Sequence, residues 1–184
     1  LVCQLFMDYG TEDQKEKYLK PLALGEKLGA YSLSEPQSGS DASNMRTFAK
    51  KEGDHYVING TKNWVTNGIS SDIVALFCVT EKGAGYKGIS AFAVEKGTLG
   101  LSTGKKENKL GIRASDTCEL YFENCRIPGE NMIGEEGQGF KVAMKALGGG
   151  RIGIAAQALG LARGALDASI SYAKDRKQFG KTIG

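Results

Sequence analysis

Between residues 29 and 128 the apolar positions fall largely on a period of two, and outside that window they do not. DIVALFCVT (72–80) and GISAFAVEK (88–96) are rich in β-branched and aromatic residues, TCELYFENCRI (117–127) alternates cleanly, and HYVINGTKNWVTNG (55–68) carries two Asn-Gly pairs, a short-turn signal. Several strands at this spacing predict a compact β-barrel or sandwich. Upstream, TEDQKEKYLKPL (11–22) has a threonine cap, acidic residues in its first turn and lysines later, so it reads as a helix that stops near Pro21. Downstream, Phe140 to Lys177 is rich in Ala, Leu, Met and Lys, with apolar residues three and four apart. The expectation is an α+β chain in three parts. These are the end of an N-terminal helical bundle domain (1–27), a central antiparallel β-barrel domain (28–129), and the start of a C-terminal helical bundle domain (130–184).

Composition narrows the chemistry. With 184 residues, 41% of them hydrophobic, the chain is large enough to bury a core. Its net charge of +3 comes from 24 basic and 21 acidic residues spread along the whole length, so no basic stripe for nucleic acid forms. No apolar run approaches the roughly 18 residues that span a bilayer. The first residue is Leu1, and both ends read as cut from a longer chain. Cys3, Cys78, Cys118 and Cys125 show no CxxC pair, which predicts free thiols in a reducing compartment rather than a zinc or dithiol site. His55 is the only histidine, and no G-x-S-x-G elbow occurs, so serine-hydrolase chemistry has little to stand on. GGGRIG (148–153) satisfies G-x-G-x-x-G. However, FKVAMKAL before it reads as helix and no second strand follows, so the match is expected to be a helix of small residues. Three consecutive helical glycines cost on the order of 3 kcal/mol against alanines, which asks for a close neighbour or room for a ligand.

Four separated motifs remain: YSLSEPQSGSD (31–41), KNWVTNG (62–68), KLGIRASDT (109–117) and RKQFG (176–180). In this order they resemble the acyl-CoA dehydrogenases, most of all the short-chain (butyryl-CoA) branch. The resemblance implies α,β-dehydrogenation of an acyl-CoA thioester with FAD as hydride acceptor. It also implies electron-transferring flavoprotein as partner, a homo-oligomer, usually a tetramer, and a bacterial cytoplasm or mitochondrial matrix as location. A flavin oxidase or monooxygenase of the same fold is the alternative enzyme, and a binding module without chemistry is the alternative outside enzymes.

Carried over residue by residue, the resemblance places Tyr31, Leu33, Ser34, Gly39 and Ser40 at the cofactor, with Leu33 and Ser34 facing its ring edge. Ser40 reaches cofactor phosphate or the acyl-CoA. Trp64 lies along the ring, Thr66 shares its strand face, and Val65 contributes mainly backbone. Arg176, Gln178 and Phe179 reach the pyrophosphate and adenine half of a neighbouring subunit's FAD, where an arginine fork suits the geometry. Gly148 and Arg151 fall near the bound CoA. Gly148 stands where the family usually carries aspartate, which puts that substrate contact in doubt, and Ser32 and Asn44 replace smaller residues of the first signature. No catalytic residue is assigned, because the resemblance puts the base on a helix beyond Gly184. Glu35 is expected to hold its loop.

Overall fold

The computed structural model describes residues 1–184 and contains two compact units, Leu1–Ala146 and Leu147–Gly184. The first opens with helix α1 (Val2–Tyr9) and a helical run from Glu12 to Ala23. Thr11 caps that run through a reciprocal pair. Its hydroxyl accepts from the Gln14 N–H, and the Gln14 side chain accepts from the Thr11 N–H. Pro21 does not end the helix as expected. A π-helical stretch, Lys15–Leu19, intervenes between α2 (Glu12–Gln14) and α3 (Lys20–Ala23), which carries Pro21 in its first turn. Proline lacks the N–H that would bond back and clashes with the carbonyl four residues earlier, and a widened turn just before it accommodates both faults.

Seven strands form one sheet: β1 (Gly29–Ser32), β2 (Phe48–Glu52), β3 (His55–Thr66), β4 (Ile73–Val79), β5 (Ile89–Glu95), β6 (Leu101–Thr103) and β7 (Thr117–Pro128). Their order is β1-β4-β2-β3-β7-β6, with β5 on the other side of β4. The expected antiparallel β-barrel is therefore corrected in part. β4 runs parallel to both β1 and β2, and the sheet is curled but open. Parallel pairing joins residues more than 30 apart in sequence, such as Ala30 with Val74 and Phe48 with Val79, which no local turn signal announces. The first Asn-Gly pair is likewise not a turn. Asn59 and Gly60 lie within β3, where its register against β7 shifts.

β4 and β5 pair without interruption from Ile73–Glu95 to Val79–Ile89. Both are buried on two sides, which explains their unbroken apolar runs. Val74, Leu76, Cys78, Phe92 and Val94 point into the main core. There they meet Tyr56, Ile58 and Val65 of β3 and Leu120, Phe122, Cys125 and Ile127 of β7. Helix α4 (Gly139–Asp175) starts hard against β5, since a Cβ at Gly139 would lie 2.7 Å from the Ser90 Cα. Buried polar residues fasten the preceding segment: Gln14 donates to the Glu130 and Met132 carbonyls, and Asn131 donates to the Ala93 carbonyl.

The second unit holds the remainder of α4 and a short hairpin of β8 (Lys177–Gln178) and β9 (Lys181–Thr182). GGGRIG lies inside α4, as its context predicted, and no strand precedes it. Cβ atoms built at Gly148, Gly149, Gly153, Gly160 and Gly164 meet nothing within 4 Å, so no neighbour within the chain accounts for these small residues.

Candidate functional site

Two signature segments meet at the end of β3. The first leaves β1 and turns through Leu33–Asp41, and its organiser is Glu35, whose side chain is only 2% exposed. One carboxylate oxygen accepts from Lys62 Nζ at 2.9 Å and from the Thr47 N–H at 3.0 Å. The other accepts from the Arg46 N–H and the Gln37 side chain, both at 2.6 Å. Burial pushes the Glu35 pKa up, but the Lys62 charge and the surrounding donors outweigh it, so the carboxyl sits below its ordinary range. Burial draws the Lys62 ammonium down, with Glu35 opposing. With four donors on the carboxylate, the pair is an ionised one. Glu35 thus holds its loop, as expected, and the lysine it uses was not foreseen.

The second segment begins at that lysine. Lys62 is fully buried and also donates to the Leu33 carbonyl at 2.9 Å, and the next N–H, of Asn63, donates to the Ser34 carbonyl at 2.8 Å. Beyond it the ladder slips. Lys62 faces Leu120 while Val65 faces Cys118, so β3 carries one residue more than β7. The surplus puts Trp64 in the left-handed region, at φ 58°, with its N–H taken by the Asn63 side chain. A bulky residue there carries about 1–3 kcal/mol of strain. Trp64 is 62% exposed and Thr66 is exposed, while Val65 between them is core.

After Thr66 the chain turns at Asn67, φ 62°, and Gly68, where a Cβ would stand 2.6 Å from the Cys118 sulfur. The third motif fastens this turn. Asp116 accepts from the Ile69 N–H at 2.9 Å and from the Ser70 hydroxyl, and Ser115 donates to the Asn67 side-chain carbonyl at 3.1 Å. Burial pushes Asp116 up, yet these donors leave it below the ordinary carboxylate range.

The structure brings Tyr31, Leu33, Ser34, Trp64, Val65 and Thr66 into one region of the first unit. Tyr31 is half-buried, packs with its ring tilted against that of Phe77, centroids 5.0 Å apart, and donates to the Ala143 carbonyl, and burial raises its phenol pKa. It shares with Thr66 and Asn67 a shallow cavity of about 320 Å³ that Leu1, Val2 and Cys3 also line. Gly39 and Ser40 are exposed on the first signature loop. Gly148, Arg151, Arg176, Gln178 and Phe179 belong to the second unit, where all but the half-buried Gly148 are exposed. An outward indole held in a strained conformation, an outward hydroxyl two residues on and a serine-bearing loop tied to the same strand give this end of β3 an exposed aromatic face bordered by hydroxyl groups. Sequence reasoning passed over Lys62 and Asn63. The one available signal was a lysine beside the tryptophan motif and a glutamate in the first signature, opposite charges with no stated partner.

The curled sheet and the long helix match part of the solved butyryl-CoA dehydrogenase from Megasphaera elsdenii. The two match with a TM-score of 0.96 at 52% identity, over 100% of this chain and 48% of that one. Family models described as "Acyl-CoA dehydrogenase, middle domain" and "Acyl-CoA dehydrogenase, C-terminal domain" match residues 30–125 and 137–184. The chain belongs to the acyl-CoA dehydrogenase family. It is 57% identical to the short-chain specific acyl-CoA dehydrogenase of Clostridium acetobutylicum, across all of this chain and 48% of that protein. A chain in a solved structure titled for the electron transferring flavoprotein of Acidaminococcus fermentans matches with a TM-score of 0.96 and 51% identity, over 98% of this chain and 48% of its own. The chain therefore spans about half the length of the relatives it matches. No helix in it is long and apolar enough to cross a membrane.

Proposed function

We propose that the whole protein is a flavin-dependent acyl-CoA dehydrogenase that converts a short-chain acyl-CoA thioester to the trans-2-enoyl-CoA. The observation that carries this is the exposed, strained Trp64 beside Thr66, in a chain 57% and 53% identical to two enzymes named as short-chain specific acyl-CoA dehydrogenases. Leu33, Ser34, Trp64, Val65 and Thr66 would hold the ring of FAD, with Tyr31, Gly39 and Ser40 alongside. FAD, when bound, supplies the hydride acceptor. Arg176, Gln178 and Phe179 would meet the cofactor's pyrophosphate and adenine half from a neighbouring subunit of a homo-oligomer, and Gly148, Ser40 and Arg151 would face the acyl-CoA. The chain's own contribution is to shape the surface and present its backbone edge. Glu35, its oxygens occupied by four donors, is not free to take a substrate proton, and the resemblance to the short-chain branch puts the base on a helix beyond Gly184. The parts 1–27, 28–129 and 130–184 would serve as bundle end, ring-binding sheet and bundle start, and electron-transferring flavoprotein would take the electrons. Four free thiols, three of them buried, suit the reducing interior of a bacterial cytoplasm or mitochondrial matrix.

Anaerobic mixing of the full-length protein with butyryl-CoA tests the reading. Bleaching of the visible flavin band, followed by recovery with electron-transferring flavoprotein and only slowly with oxygen, is the expected result. Fast recovery with oxygen alone makes the protein an oxidase, and an uncoloured, unresponsive protein overturns the reading.

A further inference from the structure

Three bonds cross between the two signature segments within a span of a few residues: Lys62 Nζ to the Glu35 carboxylate, Lys62 Nζ to the Leu33 carbonyl, and the Asn63 N–H to the Ser34 carbonyl. Two of the three start from one buried ammonium. That ammonium sits two residues before Trp64 and at the first position of the register slip, and its carboxylate partner sits one residue after Ser34. A pair of well-packed apolar side chains would fill the same volume with equal or better stability, because both charges are taken out of water at a cost. An apolar pair has no direction, however. An ion pair with a carbonyl as its third partner fixes how far the Leu33–Ser34 backbone stands from the strand that carries Trp64 and Thr66.

We propose that Lys62 and Glu35 are positioning residues for the ring-binding surface. Their clamp sets the spacing of the two segments, and through it the affinity and the electronic surroundings of the bound ring. This rests on the flavin reading given above. The clamp touches no ring itself and acts through Leu33, Ser34 and Trp64. It also explains the direction of the bulge. With Lys62 drawn inward by Glu35 and Leu33, and Val65 drawn inward by the core, the residue gained between them has to turn out.

The test uses the full-length protein with FAD, in the wild type and in two variants: Glu35→Gln, which keeps one acceptor oxygen for either the Arg46 or the Thr47 N–H and sets an amide NH2 against the other, and the double variant Lys62→Met with Glu35→Gln, which leaves no unpaired buried charge. FAD dissociation by equilibrium dialysis, the position of the visible absorption bands and the flavin reduction potential are read beside the thermal midpoint of the apoprotein. The expected result is a double variant that folds, loses FAD affinity by about tenfold, taken from the low end of what a lost outer-shell partner costs a bound metal ion, and shows displaced absorption bands and potential. Glu35→Gln is expected to fall between it and the wild type. Variants that bind FAD with wild-type affinity, spectrum and potential overturn the proposal. So do variants whose flavin loss follows only their unfolded fraction and is restored in full, with a wild-type spectrum, by a stabilising osmolyte. If the wild type takes up no flavin, the cofactor reading falls and the proposal with it, an outcome separate from indifferent variants of a flavin-binding wild type.

Discussion

β4 and β5 pair through seven successive positions without a slip, whereas β3 and β7 pair through twelve-residue strands that slip twice. The first pair is buried on both sides. The second turns Trp64 and Thr66 outward and holds the buried ion pair at its edge. Regular pairing here yields strands buried on both sides, while the irregular pair still lines the core with one face and turns part of β3 outward. A straight ladder buries its apolar residues in strict alternation, while each extra residue in a bulged ladder re-aims a side chain.

The contrast makes the regular ladder the costlier place to mutate. Phe92, fully buried in β5 and packed 4.9 Å from the Tyr56 ring, should cost about 3–5 kcal/mol as Phe92→Ala in chemical denaturation of the folded protein. Should the loss be small, the β4–β5 pair is not the stabilising half. Next comes the first slip in β3, where a Cβ at Gly60 would stand 2.6 Å from the Thr47 Cα. Because the obstacle is backbone, Gly60→Ala should cost about 1–3 kcal/mol by the same measurement.

Acid separates the two ladders without mutation. Glu35 has its folded pKa below the ordinary value of 4.5, so its contribution to stability is fully present above about pH 4.5 and is lost as pH falls toward the lowered folded value. On lowering pH, hydrogen-exchange protection, taken relative to the intrinsic rate at each pH, should therefore be lost first at the Arg46 and Thr47 amides, which Glu35 holds, and later at Ala91 and Ala93. Simultaneous release would contradict the division. The smallest expected effect on the fold is at the most conspicuous residue. Trp64→Ala should leave the denaturation midpoint within about 0.5 kcal/mol of wild type, since the indole is outside the core, while flavin retention by the full-length protein drops.

The regular half was legible in the sequence because its cause is local. Apolar runs of seven between turn residues admit little but buried strands, and the alternation of TCELYFENCRI reproduces the buried positions of β7. Helix α4 was legible from its spacing, as was the failure of GGGRIG to be a dinucleotide turn. The irregular half was legible only as motifs. That Trp64 and Thr66 would face one way followed from alternation, but the extra residue before Val65 depends on Lys62 being held by groups nearly thirty residues away. A lysine seldom lies fully buried, so its composition pointed to the surface. Pro21 misled for a similar reason: a π turn is invisible to propensity. The parallel contacts of β4, and hence the open sheet, depend on partners more than 30 residues distant that no pattern names.

These 184 residues contain a single indole, and the bulge in β3 sets it on the outside of the sheet rather than in the core. The emission expected of it is that of a solvated chromophore, red-shifted and open to collisional quenchers such as iodide. Whatever comes to lie on that face, be it a coloured ring that accepts its excitation energy or a colourless competitor, announces itself optically with no label attached.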